Sequence, residues 1–323
     1  MTKRTTLLGT LAATAALSLS ACGVGGNSTD VADVEAGSID ASALEGQTVA
    51  VGSKEFDEQL VLGQIALLAL KAAGAEVEDR TDITGSTATR NALLGGDFDV
   101  YWDYTGTGWI NYLGNDEPIA DSQEQYEAVA EQDLAENDVV WGTPAPMNNT
   151  YAFATNSEFA QQTGVQNYSD MGELSESDKG QVTLCVESEF QGRPDGLPGF
   201  LDTYEIDIPG NQVESYGIGV IYDQVANGNN CNFGEVFTTD GRIAALDLTV
   251  LEDDQNFFPI YNVAPIVMQE TNQQTPGILE VLNPISEVIT TEKMTAMNER
   301  ISVSGDDPAV IAEDFLREEG FIS

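Results

Sequence analysis

Short apolar runs alternate with amphipathic stretches along most of the chain. Residues 48–52 form an apolar run that ends at a Gly-Ser pair, and residues 56–73 carry apolar side chains at helical spacing. This pattern predicts a strand, a turn and a helix. The same reasoning predicts five further elements before residue 140: a strand at 75–77, a helix at 86–94, a strand at 98–104, a helical segment that residues 105–108 open, and a helix at 123–135. The alternation favours an α/β fold with largely parallel sheets.

The alternating pattern ends near Val139, where an extended segment that contains Pro144 and Pro146 begins. A second alternating unit follows, with predicted strands at 150–154, 182–186, 234–237, 248–251 and 264–269 and predicted helices at 199–204 and 220–226. Only helical patterns remain after that, at 277–289, 291–301 and 308–319. Three terminal helices without strands would pack most simply on the first sheet, so we expect two domains joined by two chain crossings.

The composition excludes several classes of function. The chain has 54 Asp and Glu residues against 12 Lys and Arg, a formal charge of −42, and no His. A nucleic-acid binder needs cations that displace phosphate counterions, so we expect no nucleic-acid partner. Without His, the chain has neither Ser-His-Asp or Cys-His catalysis nor imidazole zinc ligands. Most hydrolase mechanisms are thereby excluded, and we expect no metal and no other cofactor.

Residues 1–21 are typical of an export signal. Lys3 and Arg4 precede an apolar stretch that is too short to span a bilayer, for which about 20 residues are needed, and small residues lead to Cys22. This cleavage site resembles a bacterial lipobox, which implies that Cys22 becomes lipidated and anchors an extracytoplasmic protein to the cell membrane. The alternative is a plain signal peptide that is cut elsewhere. Residues 22–46 have few large apolar side chains and are expected to form a flexible tether.

Besides Cys22, the chain has two cysteines, Cys185 and Cys231. In an exported protein such a pair favours a disulfide. The loop that it would close, about 46 residues, corresponds to roughly 4 kcal/mol in the chain-entropy model. The alternative is a catalytic thiol, which would lack a histidine partner.

Because cations are few, the position of each one is informative. Lys54 lies in the turn after the first strand, where open α/β sheets bind ligands, and Arg193 lies in a Gly- and Pro-containing loop. The turn at 105–108 precedes a predicted helix and offers backbone N–H groups and the Thr107 hydroxyl to an anion such as a carboxylate. It lacks the spacing of a nucleotide phosphate loop. The alternative role for each cation is a solvent-facing charge that favours solubility.

Aromatic residues cluster in the same regions. They are Tyr101, Trp102, Tyr104, Trp109, Tyr151, Phe237, Phe257, Phe258 and Tyr261. A quaternary ammonium group has no N–H to donate and is held by π faces, at roughly 0.5 to 2 kcal/mol for each contact. A small ligand with a trimethylammonium head and a carboxylate tail needs an aromatic box and a few cationic or hydroxyl donors, and the sequence supplies both. The alternative for each aromatic residue is a place in the hydrophobic core.

Five motifs in fixed order carry a resemblance to a known family. They are GSKEFDEQ at 52–59, ALLGGDFD at 92–99, YWDYTGT at 101–107, NNTY at 148–151 and TDGRI at 239–243. From about residue 47 to the C-terminus, the chain resembles the substrate-binding lipoproteins of ABC importers for glycine betaine, choline and related osmoprotectants. The resemblance implies a two-lobed, periplasmic-binding-protein-like fold with two crossovers. Lobe I would comprise residues 47–146 and 263–323, and lobe II residues 147–262.

The resemblance also implies the roles of individual residues. The aromatic box would consist of Tyr104, Tyr151, Phe237 and Tyr261, and the carboxylate anchors would be Lys54, Thr107 and Arg193, with a backbone carbonyl near Asn149 facing the cation. Phe237 departs from the family pattern, since this position is usually Tyr. Loss of the hydroxyl removes a hydrogen-bond partner and keeps the π face, so cation binding should survive while ligand preference is left open.

These observations lead to the hypothesis of a non-enzymatic, monomeric binding protein. It would capture a quaternary-ammonium osmoprotectant such as glycine betaine and deliver it to an ABC permease with a cytoplasmic ATPase. One alternative is a cell-surface hydrolase that uses carboxylates, although pairs such as Asp253 and Asp254 have no spacing that would make them face each other. Another is a binding protein for choline, carnitine or ectoine. A structural or adhesive lipoprotein is a further alternative, but it would not need a loop cation among aromatic residues.

Overall fold

The computed structural model describes residues 31–115 and 117–323. The predicted export signal and Cys22 lie outside the described residues. The strands are β1 (Thr48–Lys54), β2 (Glu76–Ile83), β3 (Val100–Tyr104), β4 (Val139–Trp141), β5 (Tyr151–Asn156), β6 (Leu184–Val186), β7 (Val213–Ser215), β8 (Phe233–Phe237), β9 (Leu248–Val250) and β10 (Val263–Met268).

Helices cover both sheets and make up most of the C-terminal part. The α-helices are α1 (Asp57–Ala72), α2 (Ser86–Gly95), α3 (Ser122–Asn137), α4 (Ser157–Thr163), α5 (Tyr168–Ser177), α6 (Leu197–Thr203), α7 (Ile218–Asn227), α8 (Arg242–Ala245), α9 (Gln269–Gln274), α10 (Gly277–Ser286), α11 (Thr291–Glu299) and α12 (Pro308–Glu318). Wider π-helical turns occupy Thr107–Tyr112 and Arg300–Ser304, and short 3₁₀ turns occupy Lys179–Gln181 and Gly210–Gln212.

The strands form two separate five-stranded sheets. The first has the order β2-β1-β3-β10-β4 and the second the order β7-β6-β8-β5-β9. In each sheet four strands run in the same direction, while β10 in the first and β5 in the second run antiparallel to both of their neighbours. The second sheet is formed entirely by chain that lies between β4 and β10, so the chain crosses between the two units twice. This arrangement confirms the two-lobed α/β fold with two crossovers. Below, lobe I is the unit around the first sheet and lobe II the unit around the second.

Helix α1 is the centre of lobe I. Its side chains are buried on nearly every face, because it packs against the first sheet on one side and against α10, α11 and α12 on the other. A helix that is apolar all round is the expected sequence pattern for such a position. The terminal helices therefore return to lobe I, as predicted. The first turn of α1 carries Asp57 and Glu58, whose charges are favourable at a helix N-terminus.

The predicted flexible tether is wrong for its last part. Ala36 pairs with Ile322 next to the C-terminus, and the Gly37 N–H donates to the Phe321 carbonyl at 2.9 Å. The Leu44 side chain is only 1% exposed and belongs to the lobe I core. Isolated apolar residues in a polar segment give no periodic pattern, yet buried Ile39 and Leu44 and a few backbone hydrogen bonds are enough to dock the segment here.

Lobe II contains a disulfide between Cys185 in the middle of β6 and Cys231 just before β8, with the two Cα atoms 5.7 Å apart. Both residues are buried in a small apolar cluster that α7 covers. The bond therefore joins two neighbouring parallel strands of the second sheet. Neither cysteine is available as a thiol nucleophile.

Candidate ligand-binding site

A cavity lies between the two lobes, where β1, β3 and β8 end and β5 begins. Its lining consists of Lys54, Phe56, Ser86, Tyr104, Thr107, Asn149, Tyr151, Phe237 and Tyr261. Seven of the eight residues that the sequence suggested for a ligand site are in this lining. The eighth, Arg193, lies directly behind Thr107 and Tyr151. Strand ends and crossovers supply almost the whole lining, so the site depends on how the two sheets are placed relative to each other.

Five aromatic rings form a continuous wall, which we call the aromatic cage. Phe56 lies 6.1 Å from Tyr104 and 5.2 Å from Phe237, measured between ring centroids. Tyr151 lies 5.4 Å from Phe237 and 5.4 Å from Tyr261, with its plane perpendicular to that of Tyr261. Both lobes contribute rings, because Phe56 and Tyr104 belong to lobe I and Phe237 and Tyr151 to lobe II. Rings arranged in this way present several π faces to one small volume, as binding of a quaternary ammonium requires.

Two carboxylates hold the hydroxyl groups of the cage tyrosines. The Tyr104 hydroxyl donates to Glu58 Oε1 at 2.7 Å, and the Tyr261 hydroxyl donates to Asp195 Oδ2 at 2.7 Å. Burial, followed by the neighbouring carboxylate, raises the pKa of both tyrosines well above the ordinary value. Both phenols therefore stay neutral, and their rings are fixed in orientation. At Gly106 a Cβ would lie 2.7 Å from the Tyr261 ring, so glycine lets the backbone approach that ring.

Lys54 reaches the cavity from the end of β1. Its ammonium lies 2.8 Å from Asp103 Oδ1 and 5.2 Å from the centre of the Tyr104 ring, and both charged side chains are buried. A lysine ammonium has three N–H donors, and one of them is engaged by Asp103. Removal of either charge would leave the other buried without a partner, which is strongly destabilising.

The Arg193 guanidinium makes more hydrogen bonds to protein groups than the Lys54 ammonium does. Its guanidinium binds Asp195 through two parallel hydrogen bonds of 2.8 and 2.5 Å and Glu189 through a third of 2.9 Å. It lies 5.4 Å from the centre of the Tyr151 ring and 3.4 Å from the Thr107 hydroxyl oxygen of lobe I. The geometry is the paired fork that arginine makes with a carboxylate. Both cations that the sequence singled out therefore have carboxylate partners inside the protein.

Glu58 is the centre of a buried hydrogen-bond network next to the cage. Its carboxylate accepts from Tyr104 at 2.7 Å, Asn149 at 2.9 Å, Thr239 at 2.6 Å and Asn298 at 2.8 Å. These four donors come from β3, a crossover, the loop after β8 and α11, so the network joins both lobes and the terminal helices. Burial raises the pKa of Glu58, and the four hydrogen bonds act in the opposite direction.

Further contacts cross the cleft beside the cage. The Ser86 backbone N–H of lobe I donates to Glu189 Oε2 of lobe II at 2.8 Å. Burial acts to raise the pKa of Glu189, but Lys54, Arg193 and Ser86 together hold it below the ordinary value. On another side of the cleft, Arg242 binds Asp57 at 3.0 Å. The lobes therefore lie close together, and at both contacts a hydrogen-bond donor of one lobe faces a carboxylate of the other.

The arrangement has neither a metal centre nor a membrane span in the described part of the chain. Within residues 31–115 and 117–323, no group of three or more acidic, Cys or His side chains is placed to hold a metal ion. None of the helices in these residues combines the length and the apolar character that crossing a bilayer requires. What the cavity offers chemically is π faces, a lysine ammonium and hydroxyl groups around a small volume.

The family model for the substrate-binding domain of the ABC-type glycine betaine transport system matches residues 47–318. The chain belongs to this family. It is 36% identical over 288 residues to the glycine-betaine-binding protein of Pseudomonas aeruginosa, which covers 88% of this chain and 91% of the relative. It is 30% identical to the glycine betaine-binding protein YehZ of Escherichia coli, which covers 84% of this chain and 91% of the relative. A solved structure of a glycine betaine/carnitine/choline ABC transporter superposes with a TM-score of 0.68 at 27% identity, covering 84% and 99% of the two chains.

Membership in this family makes the chain the extracytoplasmic binding component of an ABC importer, and not an enzyme. The hydrolase alternative is therefore wrong. The paired acids considered for it have structural partners. Asp253 accepts from the backbone N–H groups of Phe257 and Phe258 at 3.0 and 2.9 Å, and Asp254 accepts from the hydroxyl of Ser169 at 2.6 Å. Both carboxylates order a loop of lobe II.

Several residues of the site in this family member were not anticipated from the sequence. Phe56 joins the cage, and its place directly after the first strand, inside the GSKEFDEQ motif, was a usable signal. Asp195, two residues after Arg193, was similarly close to a residue already singled out. Glu58 lies in the same motif, but its contact with Asn298 could not be predicted, because the two residues are far apart in sequence. The same holds for the contact of Glu189 with Ser86.

Proposed function

We propose that the protein captures a quaternary-ammonium osmoprotectant, glycine betaine or a close analogue, for an ABC importer. The observation that carries this proposal is the aromatic cage, in which five rings from both lobes and a crossover line one small cavity. Each desolvated π face contributes roughly 0.5 to 2 kcal/mol to cation binding. Ligand capture between two lobes would couple occupancy to closure, because the rings come from both sides.

The carboxylate of a zwitterionic ligand has donors at the other end of the cavity. Lys54 has N–H groups beyond the one that Asp103 engages, and the Thr107 hydroxyl lies beside it in the lining. Arg193 supports Thr107 from behind and would add a charge to that end of the site. We assign to these residues the role of carboxylate anchors, and to the region of Asn149 the contact with the cation.

The remaining parts of the proposal concern location and delivery. Lipidation of Cys22 would hold the protein at the outer face of the cell membrane, close to its permease. The protein would act as a monomer, since each chain carries both halves of the cavity. The permease and its cytoplasmic ATPase would recognise the closed, loaded form.

Calorimetric titration with glycine betaine, proline betaine, choline, carnitine and ectoine tests the ligand class. We expect glycine betaine to bind at least as tightly as choline, because choline has no carboxylate for Lys54. In the same assay, Tyr104→Ala and Tyr261→Ala should each weaken binding more than tenfold. Each change removes a cage wall that contributes roughly 1 to 2 kcal/mol when desolvated.

Tyr126→Ala is the matched control, because Tyr126 is a half-buried tyrosine of α3 in lobe I that packs away from the cavity. It should bind like the wild type. Ligand affinity at the wild-type level in Tyr104→Ala or Tyr261→Ala would remove that residue from the cage. Failure of every quaternary ammonium compound to bind the wild type would contradict the proposed function.

A further inference from the structure

The cage opens into a larger cavity that the proposed ligand would not fill. Including its open mouth, this outer cavity encloses about 1140 Å³, against about 310 Å³ around the cage. The two share Lys54, Phe56, Ser86, Tyr151 and Phe237 in their linings. The outer cavity is further lined by Glu187, Glu189, Glu235, Arg242 and the first turn of α7. A ligand held in the cage could therefore extend into it.

The strand geometry places Glu235 beside the cage. Side chains two residues apart on a strand point to the same face, about 7 Å apart along the chain. Glu235 and Phe237 are such a pair on β8, and both line the outer cavity. Val236, between them, packs into the apolar cluster under α7 on the opposite face. A group bound by Glu235 would thus lie one strand repeat from a cation held against Phe237.

In its hydrogen bonds, Glu235 differs from Glu187 and Glu189, the other acidic residues of lobe II that line the outer cavity. The oxygens of Glu187 accept from the Ser188 hydroxyl and the Glu189 N–H, and those of Glu189 accept from Arg193 and Ser86. Glu235 is 1% exposed, and its Oε2 accepts from the Glu187 N–H at 2.7 Å. No hydrogen bond in the described residues reaches its Oε1.

Because Glu235 lines the outer cavity and its Oε1 has no donor within the described residues, a ligand group in that cavity could donate to it. The site is otherwise closely surrounded by protein. Burial raises the pKa of Glu235 to about 8, although the Glu187 N–H opposes the change. The nearby cations do not donate to Oε1. Arg193 is paired with Asp195 and Glu189, Lys54 with Asp103, and Arg242 with Asp57 and Asp240.

We propose that Glu235 forms a second ligand subsite, which accepts a hydrogen bond from a protonated amine on the far end of a quaternary-ammonium ligand. The proposal rests on the function proposed above and extends it to ligands with two nitrogen centres. The cage would hold the quaternary head, while the extended chain would cross the boundary between the two cavities at Tyr151 and Phe237. Oε1 would gain the donor that it lacks.

The test uses pairs of ligands that differ only in the terminal group. These are the 2-aminoethyl, 3-aminopropyl and 4-aminobutyl derivatives of trimethylammonium and their hydroxyl analogues, titrated calorimetrically at pH 8.5, above the pKa of about 8 that burial gives Glu235. In the wild type, we expect at least one amine to bind ten times more tightly than its hydroxyl analogue. In Glu235→Gln, whose amide can keep the bond from the Glu187 N–H but turns a donor to the cavity, this preference should disappear. The affinity for glycine betaine should change less than threefold.

Glu214→Gln, which changes an exposed acid on β7 of the same sheet, is the matched control and should keep the preference. Glu235→Asp, which keeps the charge and withdraws it, should give an intermediate preference and provides a second variant if the first one folds poorly. Equal affinities within every amine and hydroxyl pair in the wild type, with tight glycine betaine binding, would overturn the subsite alone. A preference that persists in Glu235→Gln would overturn it as well. If no quaternary ammonium compound binds the wild type, the proposed function and the subsite both fail.

Discussion

Replacement of Glu58 by Gln tests whether one carboxylate holds the two lobes and the cage together. The carboxylate accepts four hydrogen bonds, and its partners have little freedom to reverse direction. Gln59 donates to the Tyr104 hydroxyl at 3.1 Å, so that hydroxyl is directed to donate to Glu58. The Asn149 and Asn298 contacts are amide N–H groups. Gln offers one acceptor oxygen and an NH₂ group in place of two acceptor oxygens.

The expected loss of stability in Glu58→Gln follows from the two possible orientations of the new amide. With its NH₂ at the Oε2 position, the substituted side chain could donate to the Thr239 hydroxyl, which can rotate, but would meet the Asn298 N–H as a second donor. With its NH₂ at the Oε1 position, it would face both Tyr104 and Asn149. The first orientation is less unfavourable. It leaves one buried donor unsatisfied and weakens the charge-assisted bonds, at a cost of about 2 to 4 kcal/mol.

Thermal unfolding of the ligand-free protein measures this loss. For a chain of this size we expect Tm to fall by roughly 5 to 10 °C in Glu58→Gln, and glycine betaine affinity to fall as well, because Tyr104 loses its ionic partner. Glu280→Gln, an exposed acid on α10, is the matched control and should leave both unchanged. A Glu58→Gln protein as stable as the wild type would refute the reasoning, since it would show that the four contacts do not depend on the charge.

Three further predictions concern the charged residues and the anchor. In Lys54→Ala and Arg193→Ala, calorimetry should give a ratio of betaine to choline affinity at least tenfold lower than in the wild type, because only betaine has a carboxylate; an unchanged ratio would show that these cations serve Asp103 and Asp195 alone. Glu235 has an ordinary pKa of 4.5 that burial raises to about 8, so its contribution to stability is full below pH 4.5 and is lost as the pH rises to about 8. Relative to the wild type, Glu235→Gln should therefore gain Tm between pH 5 and pH 8.5, and a constant difference across that range would contradict the assignment. Cys22→Ala should release the protein from the membrane fraction, and continued association would reveal another anchor.

The fold could be predicted largely from local patterns. Apolar runs followed by helical periodicity locate β1 and α1, and the run of helical patterns after β10 indicates that the chain ends on lobe I. Short elements with few apolar residues, such as β7 and α4, gave no clear pattern. The docked segment around Leu44 could not be predicted for the same reason, since its two buried apolar residues, Ile39 and Leu44, form no periodic pattern.

The candidate site was predictable where chemistry and sequence position coincide. Lys54 and Tyr104 end strands and lie in motifs, so the sequence places them at the edge of the sheet where ligands bind. The hydrogen bonds that join the lobes around the site could not be predicted in this way. Asn298 lies 240 residues from Glu58, and Ser86 lies 103 residues from Glu189. Contacts of this kind depend on the packing of two lobes, which no local spacing encodes.

The contacts across the cleft differ greatly in strength, and this has a consequence for closure. The Arg242 and Asp57 pair is partly exposed, at 17% and 35%, so it contributes at most about 1 kcal/mol. The bonds from Thr239 and Asn298 to Glu58 are buried and charge-assisted, and bonds of that type contribute about 1.5 to 3 kcal/mol each. A ligand can shift the balance between open and closed lobes only by its different affinity for the two forms. Because Glu58 also holds Tyr104, a cation that fixes the Tyr104 ring would reinforce the same network that joins the lobes. The balance should therefore respond more to changes at Glu58 than to changes at the exposed rim.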